Sequence, residues 1–186
     1  MSDAGKAPEA GDPRKMLEEE ILEDQARLGP QDTFRFRCHP GVSCFNTCCA
    51  DVNIFLSPYD VLRLTERLGL TSTEFLEKYT LLPVQKDMKT PVVLLRMSDD
   101  EAKSCQFLTE EGCGVYSDRP WPCRMYPVGL ATSRDTEDGW SGERFYFLLK
   151  EDACQGHREG KEWTVQEWMD DQQVDAYDEG GEADKE

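Results

Sequence analysis

Hydrophobic residues recur at helical spacing in four parts of the chain. Leucine and isoleucine give residues 13–28 an apolar face, and Gly29-Pro30 ends this predicted helix. Three further helices begin where a Ser or Thr can cap the first turn, one of them at Ser57-Pro58 and two at the spacing of a capping box. These three helices are predicted from Ser57 to Gly69, from Thr71 to Tyr79 and from Thr164 through Trp168.

Short apolar or alternating runs between these helices predict strands. The alternation of Phe34-Arg35-Phe36-Arg37 is typical of a strand, and continuous aliphatic or aromatic runs indicate three more. The predicted strands are Phe34–Arg37, Val52–Leu56, Pro91–Met97 and Phe145–Leu149. Together the elements predict the α+β class: a small single mixed domain whose loops are organised around a cysteine-ligated metal centre.

Acidic residues are concentrated at the two ends of the chain. The net charge is −17, with 21 Lys and Arg against 38 Asp and Glu. We therefore divide the chain into an acidic N-terminal segment with one helix (1–33), a cysteine-cluster metal-binding domain (34–177) and a disordered acidic tail (178–186).

This charge and the hydropathy pattern exclude several classes of partner. A nucleic-acid binder needs a basic surface, and anionic membranes disfavour an acidic chain, so we expect neither partner. The sequence has no apolar run of about 20 residues, the length that a membrane span needs. Residues 1–13 lack the apolar core of a secretory signal, so we expect a cytoplasmic location. Clustered thiols there are more often metal ligands or redox groups than disulfides.

Eight cysteines form the most informative pattern in the sequence. Thiolates prefer zinc, Cu(I) and iron–sulfur clusters, and short loops aim several sulfurs at one centre at little entropic cost. The adjacent pair allows three arrangements: both thiolates on one polynuclear centre, one on each of two metals, or a single ligand. The candidate metal ligands are Cys38, Cys44, Cys48, Cys49, Cys105, Cys113, Cys123 and Cys154.

Two arginines flank Cys123 in the run Arg119-Pro120-Trp121-Pro122-Cys123-Arg124. Positive charge lowers the pKa of a neighbouring thiol and offsets the charge of a sulfur-ligated centre. We therefore predict Arg119 and Arg124 as cofactor-binding residues. His39 and His157 lie close to cysteines in the sequence and are either alternative ligands or loop histidines.

The order of these motifs resembles that of the YkgJ-type cysteine-cluster family, which is described as a zinc- or iron-chelating domain. The resemblance covers residues 34 to about 177. Five residues separate Cys38 from Cys44 and three separate Cys44 from Cys48, where the family usually has two. The family's CxxCxxCC signature and its later motifs correspond to Cys44-Phe45-Asn46-Thr47-Cys48-Cys49, Cys105-Gln106-Phe107-Leu108, Gly112-Cys113-Gly114-Val115-Tyr116, Arg119-Pro120 to Pro127, and Cys154-Gln155-Gly156. The region is also similar to the cluster-bearing part of flagellin lysine-N-methylases, which implies a cluster but not methyl transfer.

These observations predict a cytosolic protein that binds an iron–sulfur cluster, with [4Fe–4S] as one form, or zinc. We favour iron–sulfur because the Cys-Cys pair and the arginines suit a polynuclear anionic centre, and such a centre acts in electron transfer with a protein redox partner. Two zinc sites of four thiolates each would also use all eight sulfurs. The alternatives are an oxidoreductase or protein-modification enzyme, with Cys123 as a low-pKa redox thiol, and a structural zinc-binding adaptor. No catalytic residue is assigned.

Overall fold

Short strands and helices joined by irregular loops build the fold. The computed structural model describes residues 26–82, 92–132, 144–150 and 153–182. The strands are β1 Thr33–Arg35, β2 Phe55–Leu56, β3 Thr80–Leu81, β4 Val93–Leu95, β5 Leu108–Thr109, β6 Gly112–Cys113, β7 Val128–Thr132, β8 Arg144–Leu148 and β9 Glu162–Thr164. The helices are α1 Pro58–Leu68, α2 Ser72–Tyr79, α3 Trp121–Met125, α4 Val165–Asp171 and α5 Val174–Glu182. Over these ranges, no helix has both the length and the apolarity that crossing a bilayer requires.

The described strands pair antiparallel in four small sheets. Strand β1 pairs with β9, β5 with β6 and β7 with β8, while β4 lies between β2 and β3. With five helices beside these sheets, the protein is a small mixed α+β domain, as the sequence predicts.

Three helices begin at the capping residues that the sequence predicts. The Ser57 hydroxyl accepts a hydrogen bond from the Asp60 amide at 3.1 Å, and the Asp60 carboxylate accepts one from the Ser57 amide at 2.7 Å. Thr71 with Glu74, and Thr164 with Glu167, form the same reciprocal pairs. Each pair satisfies backbone donors that a helix N-terminus otherwise leaves open.

The structure differs from the predicted elements at several boundaries. Residues 26–28 are not helical: Leu28 exchanges backbone hydrogen bonds with Tyr146 at 2.7 and 3.0 Å. The rest of the predicted 13–28 helix, and Pro91 of the predicted third strand, lie outside the described residues. Strands β1, β2 and β4 are shorter than the predicted runs, whereas β8 has the predicted length and begins one residue earlier.

The C-terminal part of the chain is more ordered than expected. Helix α5 runs through Glu182, so residues 178–182 are helical rather than part of a disordered tail. Asp178 accepts a hydrogen bond from the Trp121 indole at 2.7 Å. At the other end, β1 already includes Thr33, so the boundary between 33 and 34 falls inside a strand.

Buried hydrophobic residues form two clusters. The first core packs Cys154 at its edge, and the second core packs Cys105 and Cys113. The first core consists of Phe34, Phe36, Met125, Val128, Val165, Trp168, Met169 and Val174, and the second of Leu56, Leu64, Phe75, Leu95, Phe107 and Val115. Both cores therefore border on cysteine-bearing loops.

Candidate metal centre

The first cysteine cluster lies against the segment that carries Cys154. The Gln155 amide donates a hydrogen bond to Cys44 Sγ at 3.1 Å, and the Arg37 amide donates to the Gly156 carbonyl at 3.1 Å. Burial raises the pKa of the Cys38 thiol to about 11, and neighbouring thiols contribute to this rise. Those neighbours are Cys48, Cys44 and Cys154. These four residues, Cys38, Cys44, Cys48 and Cys154, are called the first thiol set.

A series of tight turns between His39 and Cys49 positions the cysteines of the first cluster. The amides of Val42, Phe45, Thr47 and Cys49 each donate to the carbonyl three residues earlier, at 2.9 to 3.0 Å. Asn46 adopts a left-handed conformation, φ 72°, immediately before the 3₁₀ helix Thr47–Cys49. Asparagine tolerates this conformation better than most residues. The Asn46 side chain also donates to the Thr109 carbonyl at 3.2 Å, which ties this loop to the β5–β6 hairpin.

The remaining cysteines gather on the other side of this loop. The Cys105 amide donates to the Cys49 carbonyl at 2.7 Å, and Cys113 lies in β6, paired with Leu108. Burial raises the pKa of Cys123, which lies on α3, to about 12, and the thiols of Cys105 and Cys113 add to the rise. These four residues, Cys49, Cys105, Cys113 and Cys123, are called the second thiol set.

The adjacent residues Cys48 and Cys49 join the two sets. A hydrogen bond between their side chains is the largest cause that raises the pKa of the Cys49 thiol far above its usual range. Burial and the charges of Cys105 and Cys123 contribute further. Cys48 is thus a neighbour of both Cys38 and Cys49, and the three arrangements that the sequence allows for the adjacent pair stay predictions.

The thiols are neighbours, but the described side chains do not form a complete coordination site for a metal ion. None of the eight cysteines is in a disulfide. Among the described residues, no three His, Cys, Asp or Glu side chains come together closely enough to hold a metal ion. Metals bind the thiolate form, and a bound cation favours it, so a metal would lower these raised pKa values.

Cys123 is not the low-pKa thiol that we expected from its flanking arginines. Its pKa is raised because the side chain is buried and two thiols lie nearby, and these effects exceed the lowering by Arg119. Arg119 lowers the pKa of Cys38 as well, so its charge acts on both thiol sets. A thiol whose pKa is raised in this way is a poor nucleophile.

Arg124 is engaged with the protein. Its Nε donates to the Arg119 carbonyl at 3.0 Å, and its Nη1 donates to the Gln172 carbonyl at 2.8 Å. Its Nη2 donates to the Ser117 carbonyl and to the Tyr177 hydroxyl. These bonds connect α3 to the preceding turn and to the C-terminal helices, while the predicted contact of Arg124 with a cofactor stays a prediction.

Both histidines contact protein groups. His39 Nδ1 accepts from the Gly41 amide at 3.1 Å, and its Nε2 lies 3.6 Å from the Glu159 carboxylate. His157 Nε2 lies 3.0 Å from the Leu149 carbonyl oxygen. These contacts favour the interpretation of both residues as loop histidines.

Asp60 positions the site in a way that the sequence did not indicate. The buried Asp60 carboxylate accepts from the Trp121 amide at 2.8 Å, two residues before Cys123. The same carboxylate caps α1, so one side chain fixes the first turns of α1 and α3 together. The sequence signal, an acidic residue in the first turn after Ser-Pro, predicts only the cap.

The fold and the two thiol sets define a cysteine-rich metal-binding domain. A model of the CxxCxxCC family, described as "Putative zinc- or iron-chelating domain", matches residues 37–166, and the chain belongs to this family. Neither the curated proteins nor the solved structures contain a match to the chain.

Proposed function

We propose that the protein binds two iron–sulfur clusters, one at each thiol set, and that it transfers electrons to or from a protein redox partner in the cytosol. The observation that carries this proposal is that cysteine segments distant in sequence meet in two places: Gln155 donates to Cys44 Sγ, and the Cys105 amide donates to the Cys49 carbonyl. Four cysteine ligands are the usual complement of a [2Fe–2S] or [4Fe–4S] cluster. When bound, such a cluster supplies one-electron redox chemistry.

The exposure of the two sets supports a role in electron transfer. Cys38 and Cys48 of the first set are exposed, whereas Cys123 of the second set is less accessible. A partner would then meet the first set at the surface, with the second set behind it. Arg119 acts on thiols of both sets, so one buried cation offsets negative charge at both centres.

Structural zinc is the second candidate. Each set joins segments that are distant in sequence, and the two sets border different hydrophobic cores. Four thiolates match the tetrahedral ligand shell of structural zinc, which stabilises a fold by linking such segments. This candidate needs no redox partner.

The first prediction separates two centres from one. We expect Cys154→Ser and Cys113→Ser each to lower the metal content to about half, because each removes a ligand from a different set. The double variant Cys154→Ser/Cys38→Ser, with both changes in the first thiol set, should retain as much metal as Cys154→Ser alone. The double variant Cys154→Ser/Cys113→Ser, with one change in each set, should lose nearly all the metal. The measurement is metal and acid-labile sulfide per chain after anaerobic purification.

The same preparations test the identity of the metal. Iron with stoichiometric sulfide, and a visible spectrum that bleaches on reduction, would support iron–sulfur clusters. A colourless protein with two zinc ions per chain would overturn the iron–sulfur proposal in favour of structural zinc. Complete loss of metal in both Cys154→Ser and Cys113→Ser would contradict two separate centres.

A further inference from the structure

A cavity of about 200 Å³ opens beside the two arginines that flank Cys123. It lies between the 3₁₀ turn Tyr116–Asp118 and the junction of α4 with α5. Its walls include Tyr116, Arg119, Arg124, Asp171 and Gln172. A water molecule takes up about 30 Å³ in the liquid, so this volume suits a molecule of a few carbon and oxygen atoms.

Arg119 brings to this cavity a cation that has no carboxylate partner among the described residues. Its side chain is buried, with only 8% of the residue exposed, and its Nε has no hydrogen-bond partner among the described residues. No described carboxylate lies within ion-pair distance of it. Burying a charged group without a hydrogen-bonded partner is costly, so this guanidinium calls for a ligand.

The other charged groups of the cavity wall have protein partners. Arg124 donates to three carbonyl oxygens and to the Tyr177 hydroxyl. The Gln172 amide donates to the Asp171 carboxylate at 2.7 Å. Arg119 is therefore the cation that a ligand would meet, with Ser117 and Gln173 as further polar residues of the wall.

An exposed aromatic ring lies next to this donor. Arg119 Cζ is 3.9 Å from the centroid of the Tyr116 ring, and Tyr116 is 61% exposed. An aromatic side chain exposed to this degree beside a cation offers apolar surface to the carbon atoms of a ligand whose anionic end reaches the cation.

We propose that this cavity binds a small organic carboxylate, held by the Arg119 guanidinium with its carbon chain against Tyr116. The planar fork of a guanidinium matches a carboxylate in a bidentate manner. Phosphate fits less well, because it has no carbon chain to pack against Tyr116. The proposal does not rest on the metal centres proposed above, although Arg119 also acts on thiols of both sets.

The test uses the metal-containing protein as purified, with succinate and acetate as probes at an ionic strength held constant with chloride. Saturation-transfer-difference NMR should detect binding of succinate. Arg119→Gln should weaken that binding about tenfold or more, since a hydrogen bond to a charged group contributes that much. Tyr116→Ala, at an exposed position that does not threaten folding, should weaken it severalfold. Arg35→Gln removes the same charge from an exposed arginine and should leave binding unchanged.

Three outcomes would overturn the proposal. The first is no succinate or acetate signal in the wild-type protein. The second is an equal loss of binding in Arg35→Gln and Arg119→Gln, which would indicate attraction by charge alone. The third is tighter binding of inorganic phosphate than of either carboxylate. Metal content is measured on every sample, so that the two proposals are tested separately. A protein that binds succinate but contains no metal would contradict the proposed metal centres and leave the carboxylate site supported.

Discussion

Arg124 is a buried cation whose hydrogen bonds link separate parts of the fold. Only 4% of the residue is exposed, and its guanidinium lies 4.1 Å from the centroid of the Tyr177 ring. It donates to the Ser117 and Arg119 carbonyls before α3, to the Gln172 carbonyl between α4 and α5, and to the Tyr177 hydroxyl on α5. Five N–H donors in a rigid fork reach such a set of acceptors, and the single ammonium of lysine does not.

The residue-scale prediction follows from this geometry. Arg124→Lys should lower the free energy of unfolding by about 3 kcal/mol, because it keeps the charge but leaves buried carbonyl groups without donors. Arg35→Lys, at an exposed strand position, should change it by less than about 0.5 kcal/mol. The measurement is urea unfolding at a fixed concentration of free metal. Equal stabilities of the two variants would contradict a cross-linking role for Arg124.

Helix α5 is held against α1 by a close approach at a glycine. A Cβ atom added at Gly180 would lie 2.5 Å from Cδ2 of Tyr59, and the Tyr59 ring packs edge-on against Tyr177 at 5.0 Å. Glycine inside a helix usually costs stability relative to alanine. Here the absence of a side chain lets the two helices meet.

At the scale of elements, this contact should reverse the usual effect of replacing a helical glycine with alanine, which is to stabilise the protein. Gly180→Ala should destabilise the protein by about 1–3 kcal/mol, because the new methyl group overpacks the α1–α5 contact. Gly160→Ala, where an added Cβ meets nothing within 4 Å, should be neutral or slightly stabilising. Thermal unfolding of both variants checks the difference. A stabilised Gly180→Ala protein would show that helix propensity outweighs the contact.

For the whole molecule, the arrangement of two cores implies that metal supports the fold. The first core borders on Cys154 and the second on Cys105 and Cys113, while the loop from Cys38 to Cys49 contributes thiols to both sets. Burial and, at Cys49, the hydrogen bond with Cys48 raise the pKa values of thiols in both sets, and neighbouring thiols add to the rise. A bound metal would favour the thiolates and link the segments that border on the two cores.

The whole-molecule prediction is that removing the metal loosens both cores together. A chelator, used with a reductant, should abolish most of the near-ultraviolet circular dichroism from the aromatic residues, and readdition of metal should restore it. The control is Cys154→Ser, which should show a partial loss before chelation. An unchanged spectrum and unfolding temperature after complete metal removal would contradict this structural role.

Local elements were predictable where they depend on residues close in sequence. Ser57, Thr71 and Thr164 cap their helices as predicted, since each reciprocal pair spans three residues. Helix α3 was not predicted, because it has only five residues and one of them is a proline. Its first amide, that of Trp121, donates to the buried carboxylate of Asp60, which lies sixty-one positions earlier in the sequence. The C-terminal helix was also missed, since its acidic, glycine-containing composition resembles a solvated tail.

The sequence by itself determined the number and grouping of the cysteines, the helix caps and the family, because each of these depends on short motifs of neighbouring residues. Only the tertiary structure decided which thiols are neighbours. Cys48 and Cys49 are adjacent in the chain, yet they belong to different sets, since the 3₁₀ turn places one near Cys38 and the other near Cys105. Such a division depends on contacts between distant segments, such as Gln155 with Cys44, which local spacing does not encode.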